Sequence, residues 1–457
     1  MHATETSVEA SGISAPRSAM SETPWPSPAR AWYAVFVLLL ALTVSFVDRQ
    51  ILSLLVQPVR NDLALSDTQL SLLHGLAFAI FYTVLGIPLG RWADRRNRQR
   101  MVVAGMVVWC LATTACGLAT SFGQLFIARV FVGVGEAVLS PAAYSLISDY
   151  FPRERRARAM SVYSIGIFVG SGMALLLGGL AVQAATAAGT MTLPLVGTVR
   201  SWQGAFIVVG LPGLLVAALM LTVKEPARRE RQTDAQSTGT FAFVRAHAAL
   251  IALIACGFAL SGGTIAFGFG AWLPTLFIRL HDWQPGQIAF AMGTIALTAG
   301  VAGVLAGGAL GDWLARRRGP TGFIDVAIWG VLGMLPAAPL IGLSTSPWLA
   351  LAGFAWLNLC LGLPTALAIP ALHTITPNEH RGQVTAIYLF VANLIGLALG
   401  PMLIALATDK LFASDLAIGR SLALVTTTSA ASGLALLLVL RRKYRIHTAL
   451  TLQETAR

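Results

Sequence analysis

Apolar runs of about 20 residues or more recur from Trp32 to Leu440, separated by short stretches where charged residues, prolines and glycines collect. Wound into α-helix, a run of that length matches the roughly 30 Å hydrocarbon layer of a bilayer. Cutting at the polar and Pro/Gly punctuation predicts twelve helices, near 31–56, 69–89, 101–121, 124–149, 158–183, 202–223, 246–278, 285–311, 322–343, 347–374, 382–408 and 420–440. The pattern reads as an all-α polytopic membrane protein, not a barrel. A basic stretch from Lys224 to Arg245, with Pro226 and a QSTGT run, divides the spans six and six. The expected organisation is a disordered tail (1–30), a first six-helix bundle (31–223), a linker (224–245), a second bundle (246–441) and a tail (442–457).

Composition sharpens this reading. Hydrophobic residues fill 56% of the 457 positions and charged ones only 11%, against roughly 25% charged in an ordinary soluble domain, so a soluble globular fold is excluded. A net charge of +12 in a soluble protein points toward nucleic acid, but here the Lys and Arg lie almost wholly between the apolar runs and set topology. An even span count puts both termini on one side, and 25 of the 32 Lys and Arg fall there. The positive-inside rule makes that side the cytoplasm. The expected setting is the cell inner membrane, multi-pass, with cytoplasmic termini and no nucleic-acid partner. Residues Met1 to Arg30 lack the basic n-region and cleavage site of a signal peptide, so the first span is expected to be retained. Cys110, Cys116, Cys256 and Cys360 all sit inside apolar runs without metal-ligand spacing, and read as small core residues.

The two halves repeat in the same orientation. Gly90-Arg-Trp-Ala-Asp94, followed by Arg95 and Arg98, aligns with Gly308-Ala-Leu-Gly-Asp312, followed by Arg316, at an offset of 218 residues. Pro152-Arg-Glu154-Arg-Arg156 aligns with Pro377-Asn-Glu379-His-Arg381 at an offset of 225.

The Gly-x-x-x-Asp-Arg-x-x-Arg pattern at Gly90 to Arg98, echoed in the second half, resembles the signature loop of the major facilitator superfamily. With Phe-Val-Asp48-Arg49, the Asp94 to Arg98 run and Val-Gly-Val-Gly135-Glu136-Ala, the chain resembles the spinster-like branch, clearly from Ala31 to about Val223 and loosely beyond. The resemblance implies alternating-access transport, in animals of lysophospholipids and sphingoid lipid phosphates, with proton coupling. The second signature loop departs from the pattern, with Trp313 where Arg95 sits, which weakens its salt-bridge latch.

Asp94, an isolated acid among arginines, calls for a specific partner, and an acid at a helix end can bridge to neighbouring helices and hold a gate shut. Glu154 with Arg156, and Glu379 with Arg381, are further latch candidates, as is Asp312 with Arg316. Most of these arginines also have a plain reading, fixing topology at the headgroups.

Four charges sit at membrane depth: Asp48, Arg49, Arg129 and Glu136. Each costs about 2.5–3.5 kcal/mol on insertion scales, so each calls for a reason. Glu136 lies two helical turns, about 10.5 Å, beyond Arg129. Side chains lean toward the helix N-terminus, so Arg129 leans away from Glu136 and toward Asp48 on the first span. The expectation is an Arg129–Asp48 pair, with Glu136 poorly compensated and serving as the proton-coupling residue. The competing reading makes the three a permanent ion network that fixes packing. Arg49 is expected to snorkel outward, and His74 to pack.

Nothing charged repeats in the second half: the offsets carry Asp48 to Ala266, Arg129 to Phe354 and Glu136 to Leu361. Around these lie Phe267, Phe269, Trp272, Phe354 and Trp356, with Asn358 the main polar group. A cavity between the bundles would then have one charged and one aromatic wall, suited to an amphipathic solute with its head near Arg129 and Asp48. Packing or lipid contact is the alternative role for those aromatics. The glycines of the fifth, seventh and eleventh spans, with Pro274 and Pro401, mark helices that approach closely or bend.

No Gly-x-Ser-x-Gly, His-Glu-x-x-His or Walker motif is present, so the sequence points to no enzyme and no ATP-driven pump, and implies neither metal nor cofactor. The expected function is secondary active, proton-coupled transport of a lipid-like amphipathic solute by a monomer. A carrier of small organic acids or drugs is the alternative, and a channel comes third.

Overall fold

The computed structural model describes residues 24–93, 96–193, 197–228, 237–377 and 380–455. Among these, twelve helices are long and apolar enough to cross a membrane. They are span 1 (Pro28–Leu54), span 2 (Asp67–Gly86), span 3 (Arg98–Cys116), span 4 (Phe122–Tyr150), span 5 (Val169–Ala188), span 6 (Ser201–Met220), span 7 (Ala248–His281), span 8 (Pro285–Arg318), span 9 (Thr321–Gly342), span 10 (Pro347–Thr374), span 11 (Gln383–Leu411) and span 12 (Asp415–Thr448). Each predicted helix has its counterpart.

Local chemistry sets several starts. Ser66 and Gln69 form a reciprocal capping box at the head of span 2, and the Asn97 side chain accepts from the Arg100 amide at the head of span 3. Three features differ from the sequence reading. The span 12 helix runs on to Thr455, so the expected tail begins as helix, and the linker contains a helix, Ser237–Ala246. A hairpin pairs Met191–Leu193 with Gly197–Val199, strands too short to leave a periodic signal.

The side of the protein that carries residues 224–228 and the helix Ser237–Ala246 is its linker face, and the opposite side its far face. One apolar core fills the linker-side half of the first bundle, with Leu38, Met106, Trp109 and Leu146 at its centre. A second runs through the whole second bundle and takes in the far half of the first, joining Leu52, Leu70 and Phe206 to Trp272, Phe277 and Met292. The bundles are therefore welded by apolar packing toward the far face. Glycine permits the closest approaches. A Cβ on Gly172 of span 5 would lie 2.5 Å from Leu297 of span 8, and one on Gly75 of span 2 would collide with the Leu397 carbonyl of span 11. Within the first bundle, a Cβ on Gly135 would lie 2.7 Å from the Gly105 carbonyl, so spans 3 and 4 touch backbone to backbone beside Glu136.

Candidate transport site

Span 1 places Ser45, Asp48 and Arg49 within about one helical turn, facing span 4. Glu136 receives the Arg49 guanidinium, whose Nε and Nη2 both lie 2.6 Å from its Oε2. Ser45 Oγ donates to the same oxygen at 2.5 Å, while Oε1 is buried without a partner. The Glu136 side chain is 0% exposed and that of Arg49 19%, so the arginine is the half of the pair with access to open space. Its guanidinium carbon lies 5.4, 4.6 and 4.9 Å from the ring centres of Phe46, Phe78 and Tyr82. Cation–π contacts of this kind contribute on the order of 1–2 kcal/mol each when desolvated. They replace part of the hydration that a buried cation loses. Two expectations are overturned by this geometry. Arg49 does not snorkel away, because a carboxylate and three rings hold it inward, and Glu136 does have a counter-charge, drawn from the neighbouring residue of the Asp48-Arg49 dipeptide.

Arg129 is buried and reaches span 1, but not as an ion pair. Its Nη1 donates to the Asp48 main-chain carbonyl at 3.1 Å and its Nε to the Leu73 carbonyl at 3.4 Å. Leu73 lies in a wide, π-helical turn of span 2, Leu72–Leu76, where a backbone carbonyl can serve a side chain. The Asp48 carboxyl is fully buried with neither oxygen hydrogen-bonded. The expected Arg129–Asp48 ion pair is therefore not made: the Arg129 side chain meets the Asp48 backbone instead of its carboxylate. His74 packs 6.3 Å from the Trp272 ring, with its Nε2 buried and unpartnered.

The second bundle faces this site without charge, yet most of its aromatics are spent on packing. Trp272 donates to the Pro401 carbonyl at 2.9 Å and is 0% exposed; Phe269 and Phe354 pack on each other and are also buried. In this state the three take the packing role, one of the two roles open to them from the sequence. Phe267 lies beside Gly396 of span 11, and Asn358 donates to its own helix at the Phe354 carbonyl. Gln50, on span 1 beside Arg49, lies opposite Gly270 of span 7.

Sequence reading missed a charge cluster at the far face. Asp67, at the first turn of span 2, is fully buried and binds the Arg279 guanidinium of span 7 through both oxygens, at 2.7 and 2.8 Å. Arg60 lies 3.5 Å from Asp67 and binds Asp415 of span 12 at 2.5 and 2.8 Å. Asp409 of span 11 accepts from the Thr68 amide and hydroxyl at 2.7 and 2.6 Å. These bonds join first bundle to second. A same-side loop tally shows such residues only as scattered charges; their pairing across the halves is tertiary.

At the linker face, Arg98 is buried, pairs with Asp149 of span 4 and lies 2.7 Å from Glu225 at the start of the linker. It ties span 3 to span 4 and to the start of the linker. Asp94, Arg95 and Glu379 lie outside the described residues. Gly90 lies near the end of the span 2 helix, and Glu154 and Arg156 take helical positions ahead of span 5, in Arg153–Ala188. Asp312 and Arg316 are exposed and form no ion pair with each other. The second bundle instead pairs Arg441 with Asp325 at 2.5 Å, and Arg317 stacks on Trp313 at 4.3 Å. Arg381 donates to the Thr376 carbonyl at 3.1 Å.

Comparison with known proteins gives this geometry a lineage. An MFS-type efflux pump of Mycolicibacterium smegmatis is 30% identical, over 90% of this chain and 94% of that protein. Protein spinster of Drosophila melanogaster is 26% identical over 83% of the chain, which spans 62% of that longer protein. The crystal structure of a bacterial homologue of the human lysosomal transporter spinster, in an inward-facing and unoccupied conformation, superposes with a TM-score of 0.76. It is 26% identical, and the match covers 94% of this chain and 99% of that one. The sequence profile of the Major Facilitator Superfamily matches residues 38–401, and the chain belongs to that superfamily of transporters, with a resemblance to its spinster-like branch.

Proposed function

We propose that this transporter is a proton-coupled, alternating-access carrier of an amphipathic, lipid-like solute with an anionic head group. The observation that carries the reading is the Arg49–Glu136 pair, a proton-binding group and an anion-binding group that occupy each other. A proton on Glu136 releases Arg49, and a free Arg49 takes an anion, so proton and anionic cargo bind together and move as a symport. Arg129, tied to two backbone carbonyls, positions span 1 in this scheme. Asp48, costly as a buried unpartnered anion, is the second proton carrier.

The far-face cluster and the shared core beneath it support a state closed at the far face. With the linker face in the cytoplasm, as the positive-inside count argues, that state opens inward in the inner membrane. Phe46, Phe78 and Tyr82 around Arg49 supply an apolar lip for a hydrocarbon segment. The second reading, a proton-coupled carrier of small acids or drugs, draws support from the likeness to an efflux pump. In that scheme a cationic drug displaces the proton from Glu136 and the exchange is an antiport.

Counterflow into proteoliposomes of the purified protein separates the two. Lysophosphatidate and lysophosphatidylglycerol should show saturable uptake, stimulated by the same lipid inside and raised by an inward proton gradient. Uptake of short carboxylates or cationic dyes, with no lysolipid uptake, would favour the second reading. Ohmic single-channel currents would contradict both.

A further inference from the structure

Helical Ser and Thr hydroxyls in this protein commonly satisfy themselves on their own helix: Thr43 donates to the Leu39 carbonyl at 3.0 Å, Thr114 to Cys110 at 2.9 Å and Ser261 to Gly257 at 2.6 Å. Ser45 behaves differently. It is fully buried on span 1, one turn before Arg49, and its hydroxyl crosses to span 4 to donate to Glu136 Oε2 at 2.5 Å. Three donors therefore converge on one carboxylate oxygen, two from Arg49 and one from Ser45, while Oε1 has none.

The two partners are not equivalent. A guanidinium only donates, and its positive charge holds it most strongly to the ionised carboxylate, whereas a neutral hydroxyl donates or accepts by rotating its hydrogen. When Arg49 turns to an anion, Ser45 is the partner that can stay on the carboxyl in either protonation state. We infer, on the footing of the proton role proposed for Glu136, that Ser45 is a positioning residue that holds the Glu136 carboxyl in place through the proton cycle, directs the proton to Oε1 and sets the pH at which Arg49 is released.

The remaining charged and titratable groups around the pair are Asp48 on span 1, Tyr82 on span 2, Cys110 on span 3, Arg129 on span 4 and Tyr163 on span 5. Substitutions at Ser45 leave all of them in place. Loss of a donor to a carboxylate removes a bond that favours the ionised form, so the proton should bind at higher pH. A charge-assisted hydrogen bond is worth enough to move a titration by about 1–2 pH units.

The test needs no cargo. Infrared difference spectra of the purified protein are recorded across a pH series, following the protonated-carboxyl band that Glu136→Gln removes. Ser45→Ala should move the midpoint of that band up by about 1–2 pH units, and Ser45→Cys, similar in size with a weaker donor, should move it part of the way. A midpoint unchanged from wild type in Ser45→Ala overturns the inference while leaving the Glu136 role intact. If Ser45→Ala does not fold, an unshifted Ser45→Cys midpoint overturns it equally. A wild-type spectrum with no Glu136-dependent band removes the proton role itself.

Discussion

Two of the arginine–carboxylate sites, one inside the first bundle and one at the far face, differ in what they join. Arg49 and Glu136 belong to one bundle, near mid-membrane, with the carboxylate buried at 0% exposure. Arg60, Asp67, Arg279 and Asp415 link the two bundles at the far face, where Asp415 is 51% exposed. A pair inside one rigid body survives a rocking motion of the bundles and changes only when a proton or a cargo enters. A pair between bodies must break whenever they part at that face. The same chemistry thus reads as a coupling element in one place and as a clasp in the other.

The sharpest break of this comparison removes the inner carboxylate. Glu136→Gln should abolish proton-gradient-driven uptake while exchange at equal pH on both sides persists; preserved gradient-driven uptake would end the coupling role. Next in size, Arg49→Leu leaves Glu136 buried and unpaired, which costs about 3–5 kcal/mol when the group is ionised. The deficit should appear as a lowered Tm at alkaline pH and shrink as pH falls, because the protonated carboxyl needs no counter-charge. A pH-independent loss would mean that Arg49 acts by packing alone.

Interbundle variants should move populations instead. Asp67→Asn removes the negative charge and one of the two oxygens that accept from Arg279, and should raise labelling of cysteines placed beneath the far-face cluster by about tenfold, within the usual 1–3 kcal/mol range of such couplings. An unchanged labelling rate would deny the cluster a gating role. Asp415→Asn sits at the small end, with an effect within about 1 kcal/mol that fades as salt rises, as expected of an exposed pair.

Helix number, span positions and the two-bundle division were legible because a bilayer imposes one length and one polarity on every span. The charges at Asp48, Arg49, Arg129 and Glu136 stood out because apolar surroundings make each one costly. Their partners were less legible. The lean of Arg129 from its helix pointed toward span 1, but helical periodicity does not say whether it meets the Asp48 carboxylate or the Asp48 carbonyl. A long arginine side chain can snorkel outward from its helix, and its sequence neighbours do not show that the seat of span 4 on span 3 through Gly105 and Gly135 brings Glu136 to Arg49. Which role the second-bundle aromatics take was not legible for a related reason: sequence offsets align Phe354 with a site residue, but the packing of Phe269 on Phe354 depends on how spans 7 and 10 meet.

The most direct test follows protons during cargo movement. With a pH-sensitive dye inside proteoliposomes and no imposed gradient, external lysophosphatidate should acidify the lumen through wild-type protein and leave it unchanged through Glu136→Gln. Equal acidification through both, or lysolipid uptake by wild type with no pH change, would contradict a cargo-linked proton on Glu136.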